Sequence, residues 1–229
     1  MFLKKEKLYK EITVLIGISI YSYFINWQSG NIGIMPIDSF GFLDTGYSIT
    51  KGHLPIRDFW IFTGLIVDYM EAFFLMLIGN NWKGHLTHAS LMNVFSSIVF
   101  YYFLRKIDVS KKFSIFYTLS FATLCYPVSG TPFAYIHSYI FSISAVFILI
   151  LAVKNRKNIF WFSLPIICFL AFLSMQTPSS YVILLIIFFS FFYFFKEKEF
   201  DNLKYFIISG CSCILSLFLF LIITKTPIE

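Results

Sequence analysis

Five acidic residues lie close together early in the chain: Asp38, Asp44, Asp58, Asp68 and Glu71. Lys51 and Arg57 sit among them, and the four histidines are His53, His85, His88 and His137. These residue types can do definite chemistry. A carboxylate can take the proton of an attacking hydroxyl. An ammonium or guanidinium can meet a phosphate, arginine with two parallel bonds. His85 and His88 have the helical spacing of a metal-binding pair, but interfacial polar packing is the simpler reading. No HExxH, paired CxxC or GxxxxGK[ST] segment occurs, so metalloprotease and P-loop chemistry find no support. A divalent metal would have no identifiable ligand set. The cysteines, Cys125, Cys168, Cys211 and Cys213, lie in or near apolar runs and read as packing residues.

The elements that must position these groups are membrane helices. Of the 229 residues, 58% are hydrophobic and only 13% charged, with 31 Phe and 14 Tyr. Soluble domains carry about 25% charged residues, and a chain this apolar cannot hide its surface from water. Disorder and a secreted disulfide scaffold are excluded by the same figures. The net charge of +6 does not imply nucleic acid, because Lys and Arg form short clusters between apolar runs. Eight runs approach the length needed to cross about 30 Å of hydrocarbon. They are Ile12–Trp27, Trp60–Ile78, Leu86–Leu104, Phe113–Val128, Ser138–Val153, Ile159–Met175, Ser179–Phe195 and Tyr205–Thr224. The first ends in Phe24-Ile25-Asn26-Trp27-Gln28, without a cleavage pattern, and reads as an uncleaved anchor.

Basic clusters at 4–10, 105–112, 154–157 and 196–204 hold fourteen of the 18 Lys and Arg. All four face the cytoplasm only if one early run does not cross, as the positive-inside rule requires. Trp60–Ile78 is that run. Asp68 and Glu71 fall three apart on one helical face, and an Asp at mid-membrane costs about 2.5–3.5 kcal/mol. A helix lying in the outer interface, apolar face down, avoids the cost; the alternative is a spanning helix whose acids face a cavity. The expected fold is therefore an all-α polytopic membrane protein with about seven transmembrane helices. Its N-terminus is cytoplasmic and its C-terminus outside, and residues 28–85 form an outer loop with interfacial helices. Residues 1–229 read as a single transmembrane domain in a bacterial inner membrane, in contact with membrane lipids.

The loop carries the most specific pattern. Asp38-Ser-Phe-Gly-Phe-Leu-Asp44-Thr-Gly46-Tyr47 leads through Lys51-Gly52 to Pro55-Ile56-Arg57-Asp58-Phe59-Trp60, with Gly64 following. This resembles the first outer loop of polytopic GT-C class glycosyltransferases, the group that uses dolichyl- or polyprenyl-phosphate sugars (glycosyltransferase family 39-like). Where a proline often follows the last glycine, this chain has Leu65. The specific motif covers about residues 36–72, and the layout covers the whole chain. Family members usually continue with further crossings, so the resemblance implies an N-terminal module of a longer enzyme.

The resemblance implies inverting transfer of a sugar from a lipid-phosphate donor to a glycan, lipid or protein acceptor at the outer face. Residue by residue, Asp44 matches the family's catalytic carboxylate, with Asp38 second. Arg57 and Lys51 are the cations near enough in sequence to meet a phosphate, and Asp58 beside Arg57 is expected to brace the loop. His137 and Gln176, at outer helix ends, are further candidates for head-group or substrate contact. A transporter or flippase component, or a non-catalytic assembly protein, are the alternatives. Transport favours charged residues within the crossings or repeated broken helices, and the assigned crossings have almost no charge and no internal repeat.

Overall fold

Each apolar run identified in the sequence contains a helix, because hydrocarbon leaves a backbone no other partner than itself. The computed structural model describes residues 2–33, 36–61 and 64–226, with side chains for all of these except 2–8 and 36–38. Nine helices occur among the described residues: α1 (Phe2–Ile32), α2 (Pro36–Thr50), α3 (Leu65–Ile78), α4 (Trp82–Lys106), α5 (Lys111–Leu124), α6 (Ala134–Asn155), α7 (Asn158–Ser174), α8 (Gln176–Glu197) and α9 (Phe200–Ile223). The described residues form no strand, only an isolated bridge between Pro55 and Phe59.

Seven of these helices run alternately between the same two ends. Against α4, α1 is antiparallel: Glu11 meets Tyr101, Ser22 meets Asn93, and Asn26 meets Ser90. The helices α4 and α6 are parallel, with Phe103 on Phe147, Phe95 on Phe141 and His88 on His137. Short turns then reverse the chain into α7, α8 and α9. Buried amides join the first group where apolar packing alone has little specificity. Asn93 Nδ2 donates to the Ser22 and Ala122 carbonyls, and Asn26 Nδ2 to the Gly130 carbonyl. Gly130, at φ 72°, lets the α5–α6 turn press against Gly30, where a Cβ on either would strike backbone.

The four basic clusters share one end. Lys111 pairs with Glu11, Lys154 with Asp108, and Arg156 with Glu197 and Glu199. The loop between α1 and α4, with α2 and α3, lies at the other end. Charge pattern and packing thus agree on which helix ends go together.

Length and composition bear out part of the expected set of crossings among the described residues. Three helices, α6, α8 and α9, are long and apolar enough to cross a membrane; α7 is apolar but has 17 residues. At 1.5 Å per residue the 14 residues of α5 reach about 21 Å, short of the 30 Å needed. Buried polar residues make α4 less apolar, since Asn93, Ser96 and Ser97 face neighbouring helices. The outward faces of α8 and α9 are apolar and exposed, including Leu184, Phe188, Phe192, Leu215, Phe218 and Ile222. A patch of this size suits lipid, not water.

The helical part of Trp60–Ile78 begins only at Leu65, and its 14 residues are likewise too short to cross. Phe73, Met76 and Leu77 are its exposed apolar side. The acids, however, do not lie toward water. Asp68 is 2% exposed and Glu71 0%, both turned into the protein. The cost of the two acids is met by protein partners instead of by the membrane surface.

Candidate active-site cleft and a buried Glu–His network

Two neighbouring sites occupy the loop end of the bundle, one open and one closed. The open one is a cleft of about 470 Å³ lined by Phe40, Leu43, Asp44 and Tyr47 of α2, with Leu75 of α3 and Asn80. These α2 residues recur at three- and four-residue spacing, which places them along one helical face. Asp44 is exposed there, and among the described residues it forms no ion pair. Lys51 lies over the Tyr47 ring, 5.0 Å from its centroid. Trp82 packs against Phe40 at the opposite rim. The cleft therefore joins one carboxylate, one side-chain amide and aromatic walls, with an ammonium beside it.

The other expected residues are placed as follows. Arg57 is not in the cleft lining. Its guanidinium grips Asp58 with two bonds of 2.8 Å, and a third donor reaches the Thr224 carbonyl at the end of α9. Asp58 also accepts from the Leu54 amide at 2.8 Å. Together these bonds clip the 51–60 loop to the bundle. The cation next to the cleft is Lys51. Gln176 is exposed at the start of α8, its carbonyl accepting from Ser179 and Ser180. Asp38 lies in α2, but its side chain is outside the described residues. His137 is 0% exposed, so it faces protein and no head group.

The Asp58 carboxyl is held down at about 2, chiefly by the Arg57 hydrogen bonds and then by the Leu54 amide. A depressed carboxyl pKa contributes stability that is complete above the unfolded value, near 3.8, and is lost as pH falls through about 2. The Leu54 amide nitrogen shift is therefore expected to titrate with a midpoint near 2. A midpoint at the ordinary 3.8 would show that the clip does not hold in solution.

The closed site is centred on Glu71. Its Oε1 accepts from His85 Nδ1 at 2.8 Å, and its Oε2 meets His88 Nδ1 at 2.7 Å. His88 Nε2 meets His137 Nε2 at 3.1 Å, and His137 Nδ1 donates to the Phe133 carbonyl at 2.9 Å. Phe74 stacks on His88, Trp82 tilts over His85, and Tyr126 packs edge-on to His137. All four members are 0% exposed.

Valence decides the protons here. The Phe133 carbonyl can only accept, so His137 Nδ1 carries a hydrogen. Each remaining contact from His137 to His88 to Glu71 then needs one proton. Drawn as ionised Glu71 with cationic His88, or as protonated Glu71 with neutral His88, the set has no net charge. A neutral, fully bonded set avoids most of the cost of burying charge. His85 Nε2 is the exception, buried with no hydrogen-bond partner among the described residues.

Ring nitrogens and carboxylate oxygens pair one to one at hydrogen-bond lengths, instead of converging at the roughly 2.0–2.2 Å of metal ligation. Among the described residues no group of three His, Cys, Asp or Glu side chains is arranged to hold a metal ion.

The second acid of α3 faces the opposite neighbour. Asp68 Oδ1 and Thr45 Oγ1 are 2.5 Å apart, and the same hydroxyl lies 3.1 Å from the Phe42 carbonyl. One hydroxyl proton cannot serve two acceptors fully. Burial pushes the Asp68 carboxyl up to about 6, against the Thr45 hydroxyl that donates to it.

Sequence reasoning missed the Glu71–His85–His88–His137 set as a unit. Two i, i+3 pairs, one acidic and one of histidines, were its visible signal. Their partnership requires α3 to fold back beside α4. No protein-family model, curated protein or solved structure matches this chain.

Proposed function

We propose that this chain is the membrane-embedded module of a glycosyltransferase that takes a sugar from a polyprenyl-phosphate donor at the outer face. Asp44 acts as general base toward the acceptor hydroxyl, Lys51 steadies the leaving phosphate, and the Arg57–Asp58 clip holds the loop that carries Lys51. The single observation that supports this most is Asp44 standing exposed, without an ion pair among the described residues, in an aromatic-walled cleft at the loop end of the bundle. A general base must reach its substrate, and an exposed carboxylate in a concave site meets that need. Aromatic faces such as Tyr47 and Phe40 suit the C–H faces of a sugar ring. In the test, membranes containing the protein are supplied with an undecaprenyl-phosphate-linked hexose, and transfer is lost in D44N.

Seven alternating helices with all basic clusters at one end support seven crossings, the shorter helices sitting where the protein thins the bilayer. The clustered end is then cytoplasmic. In intact bacteria, a membrane-impermeant maleimide should label Y47C and leave N155C untouched until the cells are opened. Labelling of position 155 alone reverses the orientation.

One observation favours a second reading. Buried titratable residues in a line, as in Glu71–His88–His137, are typical of proton-coupled transport. Here the line ends at His137 Nδ1, which meets the Phe133 carbonyl at 2.9 Å and the buried Tyr126 hydroxyl at 3.3 Å. Proton uptake by liposomes that is abolished in H137F but intact in D44N would favour transport.

A further inference from the structure

Three consecutive residues of α2 meet three different surroundings. Asp44 opens into the cleft, Thr45 is 6% exposed and bonded to Asp68, and Gly46 is buried against Glu71. A helix turns about 100° per residue, so contacts at 45 and 46 set both the rotation of α2 and the depth at which position 44 stands. The contact at Gly46 is unusually close. A Cβ there would run into Glu71 Cγ, and would lie 3.0 Å from Glu71 Cβ and 3.3 Å from the Ala72 nitrogen.

Glu71 has little freedom to withdraw. Both its oxygens are held by histidines of α4, and His88 is held in turn by His137 of α6. The surface on which Gly46 rests is thus anchored to three helices. Thr45 adds direction to this seat, because a hydroxyl bonded to Asp68 resists rotation of α2 about its axis. The order Asp-Thr-Gly acquires a physical meaning at each position: a group to present, a group to lock and a gap to allow close approach.

We infer that Asp68 and Glu71 are positioning residues, which through Thr45 and Gly46 fix the place of the Asp44 carboxylate in the cleft. The functional part of this inference rests on reading Asp44 as the base. Neither acid is among the cleft-lining residues, so each acts through α2.

The test uses the full chain in liposomes, its native cysteines replaced by alanine, with nitroxides on D44C and V128C. Val128 is exposed and lies outside the α2–α3 contact. The parent distance distribution should be narrow. T45V keeps the shape but loses the hydroxyl, and G46A adds the obstructing Cβ; both should broaden or displace it, while T45S restores it. Unchanged distributions in T45V and G46A overturn the inference.

A second arm keeps Asp44 and measures transfer from the undecaprenyl-phosphate-linked hexose. A displacement near 1 Å can cost about 10²-fold in rate, so G46A and T45V should lower kcat with KM retained, and T45S should recover it. If D44N abolishes transfer while T45V and G46A leave kcat unchanged, positioning is wrong and the base assignment stands. If D44N is neutral, the base assignment is wrong, and the distance distributions alone decide whether the acids position α2.

Discussion

Glu71→Leu should destabilise the protein by about 3–5 kcal/mol, the usual cost of removing one partner from a buried ionic pair. Leucine has similar bulk, so packing is largely kept. The loss is in hydrogen bonding: His85 Nδ1 and His88 Nδ1 both lose their partner in a fully buried site. Each buried donor left alone costs about 1–3 kcal/mol. Glu71→Gln makes a sharper comparison. Its oxygen can accept from His85 Nδ1–H, and its amide can donate to His88 Nδ1. His88 Nε2–H then serves His137, as in the protonated form of Glu71. The glutamine variant should therefore unfold close to the parent in a mixed-micelle titration, while the leucine variant unfolds far earlier. Equal losses in both would mean that the network needs the charge. No loss in either would mean that it does not hold the helices together.

Asp44→Asn should lower sugar transfer by about 10²–10⁴-fold, the contribution expected of a general base. In energy that is about 2.7–5.5 kcal/mol of transition-state stabilisation. Stability should not change, because the exposed carboxylate has no ion pair among the described residues and Asn preserves its shape. That separation of rate from stability distinguishes Asp44 from Glu71. Asp38→Asn is the control. Six residues along a helix turn about 240°, so positions 38 and 44 occupy different faces of α2, and position 44 belongs to the cleft lining. Transfer that falls in the Asp38 variant and not in the Asp44 variant would move the base. Transfer indifferent to both would remove this mechanism.

The two sites differ in how they could be recognised. Asp44, Lys51, Arg57 and Asp58 are neighbours in sequence, and local spacing brought all four into consideration. Their division of labour was not local. Arg57 seemed the better phosphate ligand by its geometry, yet that same fork geometry is satisfied by Asp58 next to it and by the end of α9 far along the chain. Lys51, a point charge on a flexible stem, remains beside the cleft.

By itself the sequence determined that the chain is helical and membrane-bound, because its apolar runs and low charge admit no other solvent. It also determined which helix ends share a side, since basic clusters separated by crossings carry that information directly. The run Trp60–Ile78 was set apart by two acids that are costly in lipid. Only the tertiary structure decided where those acids went. Each i, i+3 pair names a helix face but not the face opposite it, and Glu71 is 14 and 17 residues from its histidine partners and further still from His137. Helix lengths were decided late as well. Hydropathy marks where a helix is apolar, but the turn at Cys125 and the break before Leu65 depend on how neighbouring ends pack, and these shorten two of the runs below the membrane's thickness.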